Sequence, residues 1–113
     1  MSEFDQINTA ENSKEASTTE KHLPVITIED LGNNKHKVKI LPGGGKHPNE
    51  RDHWFQWVEL QVNGLYVGRA EFSAVITDPV VEFILNCGKT CKIGALARCN
   101  RHGLWYSEVT CSC

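Results

Sequence analysis

The chain has 113 residues, 40% hydrophobic and 23% charged, with a net charge of −2 at neutral pH. That is the length and composition of one soluble globular domain, which excludes a second independently packed domain, disorder throughout and a fibrous repeat. The charge is uneven: residues 1–20 hold five acids and one base, the rest nine acids and eleven bases, too dispersed for a nucleic-acid footprint. No run approaches the roughly 18 apolar residues of a membrane-spanning helix. The first twenty residues lack a basic and apolar leader pattern, so the chain reads as cytoplasmic, with neither membrane nor nucleic acid as a partner.

Residues 1–19 are rich in Ser, Thr, Asn and Glu, with Phe4 and Ile7 as the large apolar groups, and are expected to form a flexible acidic arm. Residues 20–113 form the folded domain. Leu23 to Glu29, with Val25, Ile26 and Ile28, reads as a strand opened by His22, and Gly32, Asn33 and Asn34 turn the chain into a second at Lys35 to Leu41. A loop holding three glycines and two prolines runs from Leu41 to His53. Trp54 to Val62 and Leu65 to Ala74 are joined by Asn63-Gly64, the dipeptide that accepts the positive φ angles of a type I′ hairpin turn. Val80 to Leu85, Ile93 to Arg98 and Leu104 to Thr110 complete seven short strands, and no 3.6-residue apolar period supports a substantial helix. The expected fold is all-β, a seven-stranded antiparallel immunoglobulin-like sandwich. His36, among Lys35, Lys37 and Lys39, is expected to face solvent. Trp54, Trp57 and Trp105 are expected in the core or in the walls of a site.

Cys99 and His102, with two residues between them, place two metal donors across a tight turn, a spacing common in metal sites and weak when it stands alone. His22, His47 and His53 are the other candidates, and each taken singly reads equally well as a solvated or core-edge residue. Gly43-Gly44-Gly45-Lys46 is not a phosphate loop, since His47 stands where Ser or Thr is required. Taken together, Glu20-Lys21-His22-Leu23-Pro24-Val25-Ile26, Lys46-His47-Pro48, His53 with Trp57-Val58-Glu59-Leu60, Gly68-Arg69, and Cys99 through Trp105 closely resemble superoxide reductases of the neelaredoxin and desulfoferrodoxin type. The resemblance covers residues 20 to 110. It implies a mononuclear Fe(II)/Fe(III) centre held by His22, His47, His53 and His102 and by the Cys99 thiolate, with an open sixth position and one-electron reduction of superoxide to hydrogen peroxide. Imidazole suits iron, and a thiolate donates electron density to it; five donors around an open position would be unusual for zinc. The resemblance also implies that Lys21 attracts the superoxide anion and aids protonation, the alternative being a solvated strand-edge lysine. It makes Glu20 either a ligand of the ferric ion or an exposed carboxylate.

Cys87, Cys91, Cys111 and Cys113 remain. They resemble the cysteines of methanoferrodoxin, a variant in which a [4Fe-4S] cluster accompanies the mononuclear iron, and the cluster would relay electrons from a small electron-carrier protein. Desulfoferrodoxin carries its extra cysteines in an N-terminal rubredoxin-like domain, and residues 1–19 hold none. Their spacing is not the ferredoxin run, so a four-cysteine zinc site stays open as the alternative. The whole chain likewise admits two other readings, an iron-sulfur electron-transfer protein and a structural zinc-binding β module. The resemblance further implies a homo-oligomer, dimer or tetramer.

Overall fold

Side chains alternate between the two faces of a strand, and residues 35–42 show what that does here: His36, Val38, Ile40 and Pro42 are buried while the lysines between them reach outward. The computed structural model describes residues 6–13 and 16–111. In chain order they form β1 (Ile7–Asn8), α1 (Ala16–His22), β2 (Pro24–Gly32), β3 (Lys35–Pro42), β4 (Phe55–Val62), β5 (Leu65–Glu71), β6 (Val81–Asn86), β7 (Cys91–Cys99) and β8 (Gly103–Cys111), with a 3₁₀ turn at Gly43–Gly45. Two sheets result, one ordered β1-β8-β7-β4-β5 and the other β2-β3-β6.

The core lies between them. Val38 and Ile40 of the smaller sheet meet Phe55, Val58, Leu60, Ile93, Ala95 and Ala97 of the larger one, all essentially inaccessible to solvent. Burial of side chains this size contributes about 1.5–3 kcal/mol each. The β4–β5 turn is as expected, with φ of 51° at Asn63 and 81° at Gly64, and Asn33 and Asn34 take the same left-handed conformation between β2 and β3.

The structure corrects the sequence reading at four points. The described strands number eight instead of seven, and the added one, β1, runs parallel to β8 in a set expected to be antiparallel. That strand falls within the stretch expected to be a flexible arm. Its backbone pairs with Leu104 and Trp105, and the buried Asn8 side chain donates to the Leu104 carbonyl, a long-range bond that local composition does not reveal. His22 closes α1 and does not open a strand: the Leu23 N–H donates to the Thr19 carbonyl, and Pro24 then prevents the helix from continuing. His36 is buried, because the alternation of β3 places it on the same face as Val38 and Ile40.

The 3₁₀ turn seats α1. Gly43 donates its N–H to the Leu23 carbonyl at 2.8 Å, holds φ at 66°, and carries no Cβ where one would collide with the Lys21 carbonyl. Gly43→Ala combines a left-handed backbone penalty of about 1 kcal/mol with a clash against main chain that cannot rotate away. A thermal melt is expected to show a fall in Tm of about 5 °C or more. An unchanged Tm would mean that α1 is not held by this contact.

Candidate metal centre

Four segments deliver the donors to one end of the two sheets. His22 comes from the last turn of α1, His47 from the residues after the 3₁₀ turn, and His53 from the loop entering β4. Cys99 and His102 come from the turn between β7 and β8. Ligand atoms of His22, His47, His53 and Cys99 all lie within 4.8 Å of one another. His102 joins them: its Nδ1 is 3.7 Å from Cys99 Sγ, and its ring centroid is 4.7 Å from that of His22 and 5.2 Å from that of His53. The structure therefore brings together all five residues that the sequence proposed.

The ring nitrogens are sorted by their outer partners. His22 Nδ1 lies 2.7 Å from the Thr18 carbonyl and His47 Nδ1 2.6 Å from the Pro48 carbonyl, so each Nδ1 carries the proton and each Nε2 presents a lone pair. His47 Nε2 points at Cys99 Sγ, 3.2 Å away. The Nε2 atoms of His22 and His53 are buried without a hydrogen-bond partner. Buried polar atoms are almost always satisfied, so two orphaned ring nitrogens beside a buried cysteine are what an absent cation would leave. The donor set fits iron: imidazoles and one thiolate suit a transition metal, and five donors exceed the closed tetrahedron of zinc.

Burial pushes the His22 and His47 imidazoles down to about 4, since desolvation disfavours the charged ring and the neighbouring histidines repel a second charge. His53 is lowered in the same direction, by desolvation first and then by His102 and Arg101. Both effects keep the rings neutral, which is the form that binds metal.

Lys21 and Glu20 stand outside the cluster. Both are exposed on α1, and Glu20 pairs with Lys46, whose hydrogen bond and charge lower the carboxyl pKa. Lys46 immediately precedes His47, so this ion pair ties the helix to the second donor loop.

Cys87, Cys91 and Cys111 gather elsewhere, their sulfurs all within 4.8 Å of one another, whereas Cys113 lies outside the described residues. Cys91 opens β7 and Cys99 closes it. The two sulfur sites therefore occupy opposite ends of one strand.

Supporting residues went unassigned in the sequence. Asn100 clamps two donor segments together: its Oδ1 accepts from the Trp54 N–H at 2.9 Å and its Nδ2 donates to the Asp52 carbonyl at 2.9 Å. Its place between Cys99 and His102 was the available signal. Trp105 stacks on His22 at 4.8 Å and donates its indole N–H to the His102 carbonyl at 3.0 Å, forming a wall as expected. Phe55 packs against His47 at 4.2 Å. Trp57 is instead covered by the Arg69 guanidinium at 3.9 Å, and Trp54 bonds the Phe72 carbonyl.

The desulfoferrodoxin family profile matches residues 14–108. A putative superoxide reductase from Archaeoglobus fulgidus is 38% identical over 112 residues, covering 82% of this chain and 90% of that protein. The superoxide reductase of Pyrococcus furiosus is 40% identical over 110 residues, covering 80% and 88%. Among solved structures, superoxide reductase (neelaredoxin) from Ignicoccus hospitalis superposes with a TM-score of 0.81 at 28% identity, covering 94% of each chain.

The lowered imidazoles predict how the metal-free protein responds to acid. Above pH 6.5, His22 and His47 are neutral in both the folded and unfolded chain. Between pH 6.5 and about 4 only the unfolded chain takes up the protons, so stability falls by up to about 1.4 kcal/mol per pH unit per group, and below about 4 this loss levels off. Thermal melts of metal-free protein across that window check it, and a flat profile would show that the rings are not buried as described.

Proposed function

The chain belongs to the desulfoferrodoxin family, and on that premise we propose that it is a superoxide reductase whose mononuclear iron is held by His22, His47, His53, His102 and Cys99. One observation carries the reading: the two buried, partnerless Nε2 atoms of His22 and His53 face the same small volume as His47 and Cys99. Bound there, iron supplies a one-electron donor that cycles between the ferrous and ferric states. The overall change is superoxide plus one electron plus two protons to hydrogen peroxide.

The chain's own residues supply the rest. Thr18 and Pro48 carbonyls fix the tautomers of His22 and His47, so the donating nitrogens are aimed before metal arrives. Trp105 and Phe55 exclude water from two sides of the His22 and His47 rings. Lys21, exposed and adjacent to His22, offers a positive charge to the incoming anion. At about 4 Å that attraction is worth about 1 kcal/mol in water and about 4 at an effective dielectric of 20. Glu20 is the exchangeable carboxylate of this proposal: freed from Lys46 it would serve the open position, and paired with Lys46 it does not.

A small electron-carrier protein as reductant and a dimeric or tetrameric assembly rest on family membership. The [4Fe-4S] cluster read from the resemblance rests on four cysteines, three of them gathered. A four-thiolate zinc or iron ion asks for the same donors, and about five irons with four sulfides per chain would mark the cluster.

Superoxide delivered as a pulse to the reduced, iron-loaded protein is expected to yield one peroxide per superoxide with no oxygen release. Oxygen release, or zinc in place of iron, would overturn the assignment. Lys21→Ala is expected to slow the second-order step several-fold and to flatten its dependence on ionic strength.

A further inference from the structure

His47 and His53 reach the cluster from residues 46–54, a stretch outside every strand and helix of the described chain. Two peptide units hold them there. The Pro48 carbonyl takes the His47 Nδ1 proton at 2.6 Å, and Glu50 and His53 exchange main-chain N–H to carbonyl bonds at 2.9 and 3.1 Å. Asn49 is the residue between the two units. Its nitrogen lies in the peptide plane of the Pro48 carbonyl, and its carbonyl lies in the plane of the Glu50 N–H. Rotation of the Asn49 backbone therefore swings one of these hydrogen bonds against the other.

The Asn49 side chain prevents that rotation. Its Oδ1 accepts from the Val75 N–H at 2.8 Å and its Nδ2 donates to the Thr77 carbonyl at 3.2 Å, so both ends of the amide grip the turn of residues 73–78 between β5 and β6. That turn is itself anchored: the Phe72 N–H donates to the Gln56 carbonyl of β4, the Phe72 carbonyl accepts the Trp54 indole N–H, and the Thr77 N–H closes onto the Ser73 carbonyl. Val75 holds φ at 70°, a conformation that a β-branched residue keeps only where its surroundings impose it. Apolar packing does not supply the grip. A cleft of about 440 Å³, lined in part by His47 and Asn49 and by Asp78, Pro79 and Val80 at the end of the turn, opens where loop and turn meet.

We propose that Asn49 is a positioning residue for the iron centre, holding His47 and His53 in place through the peptide units on either side of it. The proposal rests on the five-residue iron site proposed above. A metal-binding imidazole depends on the partner of its outer N–H, and loss of such a partner typically lowers metal affinity 10–100-fold. Asn100 secures the same loop from the side of the β7–β8 turn, through Trp54 and Asp52. Asn49 acts instead on the Pro48 carbonyl and so on the aim of His47, whose Nε2 is 3.2 Å from Cys99 Sγ. The grip requires an amide, because one atom must accept from Val75 while another donates to Thr77. Aspartate keeps the acceptor, lacks the donor and sets oxygen against the Thr77 carbonyl; alanine keeps neither.

The full-length parent, Asn49→Ala and Val75→Gly are compared for the rate at which the ferrous protein gives up iron to excess chelator and for the thiolate-to-iron absorption of the ferric form. Asn49→Ala is expected to lose iron about 10–100-fold faster and to shift the absorption band, with the metal-free protein melting about 5 °C lower. Parent-like iron loss and an unmoved band would overturn the proposal whatever the melt shows, since a purely structural residue moves Tm alone. Val75→Gly keeps the N–H and accepts a φ of 70° freely, so it is expected to hold iron within about twofold of the parent. Iron loss as fast as in Asn49→Ala would overturn the role given to the amide. Should Asn49→Ala fail to fold, Asn49→Asp decides: faster iron loss despite its added negative charge supports the proposal, and parent-like loss overturns it. Iron bound without superoxide reduction strikes the proposed function alone. A parent that takes up no iron also strikes that function, and hydrogen exchange of the metal-free protein then reads the clamp: exchange of the Val75 and His53 amides is expected to quicken about tenfold or more in Asn49→Ala, and equal exchange would overturn it.

Discussion

Strand β7 is hydrogen-bonded on both sides, to β4 and to β8, and carries a cysteine at each end of its buried face. A slip of one residue would turn Cys91, Ile93, Ala95, Ala97 and Cys99 outward together, because side chains alternate with a period of two. Its register is therefore fixed by the core and by two ladders at once. Both sulfur sites inherit their positions from that one constraint. Cys99 can stand still beside four imidazoles because the strand behind it cannot move.

The imidazole cluster is assembled against its own electrostatics. Crowding and burial disfavour charge on His22, His47 and His53, and the fold compensates by giving each ring a reason to stay neutral and oriented. Backbone carbonyls take the Nδ1 protons of His22 and His47, Trp105 and Phe55 pack the ring faces, and Asn100 clips the β7–β8 turn to the segment before β4. What stays unsatisfied is a set of lone pairs pointing inward. Protein alone leaves that arrangement incomplete, and a cation completes it.

The two ends of the molecule are built by opposite means. At the histidine end, loops and a short helix converge on an interior point, and glycine at position 43 allows the helix to approach. At the sulfur end, strand termini from both sheets converge directly, with only Gly88, Lys89 and Thr90 linking Cys87 to Cys91. One end gathers imidazoles around a buried cysteine, and the other gathers thiols at the seam between the sheets.

Seven of the eight strands among the described residues were legible in the amino-acid order, since alternation and turn chemistry at Asn63-Gly64 and Gly32-Asn33-Asn34 are local properties. The five residues proposed as donors were named through a family resemblance carried by motif order and type, and the structure places them near one another. Strand β1 was not legible, because two residues pairing in parallel with β8 leave no periodic trace and depend on a partner 97 positions away. Nor was the helix that carries His22, whose existence rests on a seat at Gly43, or the buried state of His36, whose lysine neighbours suggest solvent until β3 acquires a covered face. The sequence by itself determined the seven longer strands and which side chains are able to bind a metal, because both follow from residue identity and short-range spacing. Only the tertiary structure decided that the two cysteines of β7 lie a full strand apart and that Cys87, at the end of β6, meets Cys91, because distance and sheet membership arise from packing between segments remote in the chain.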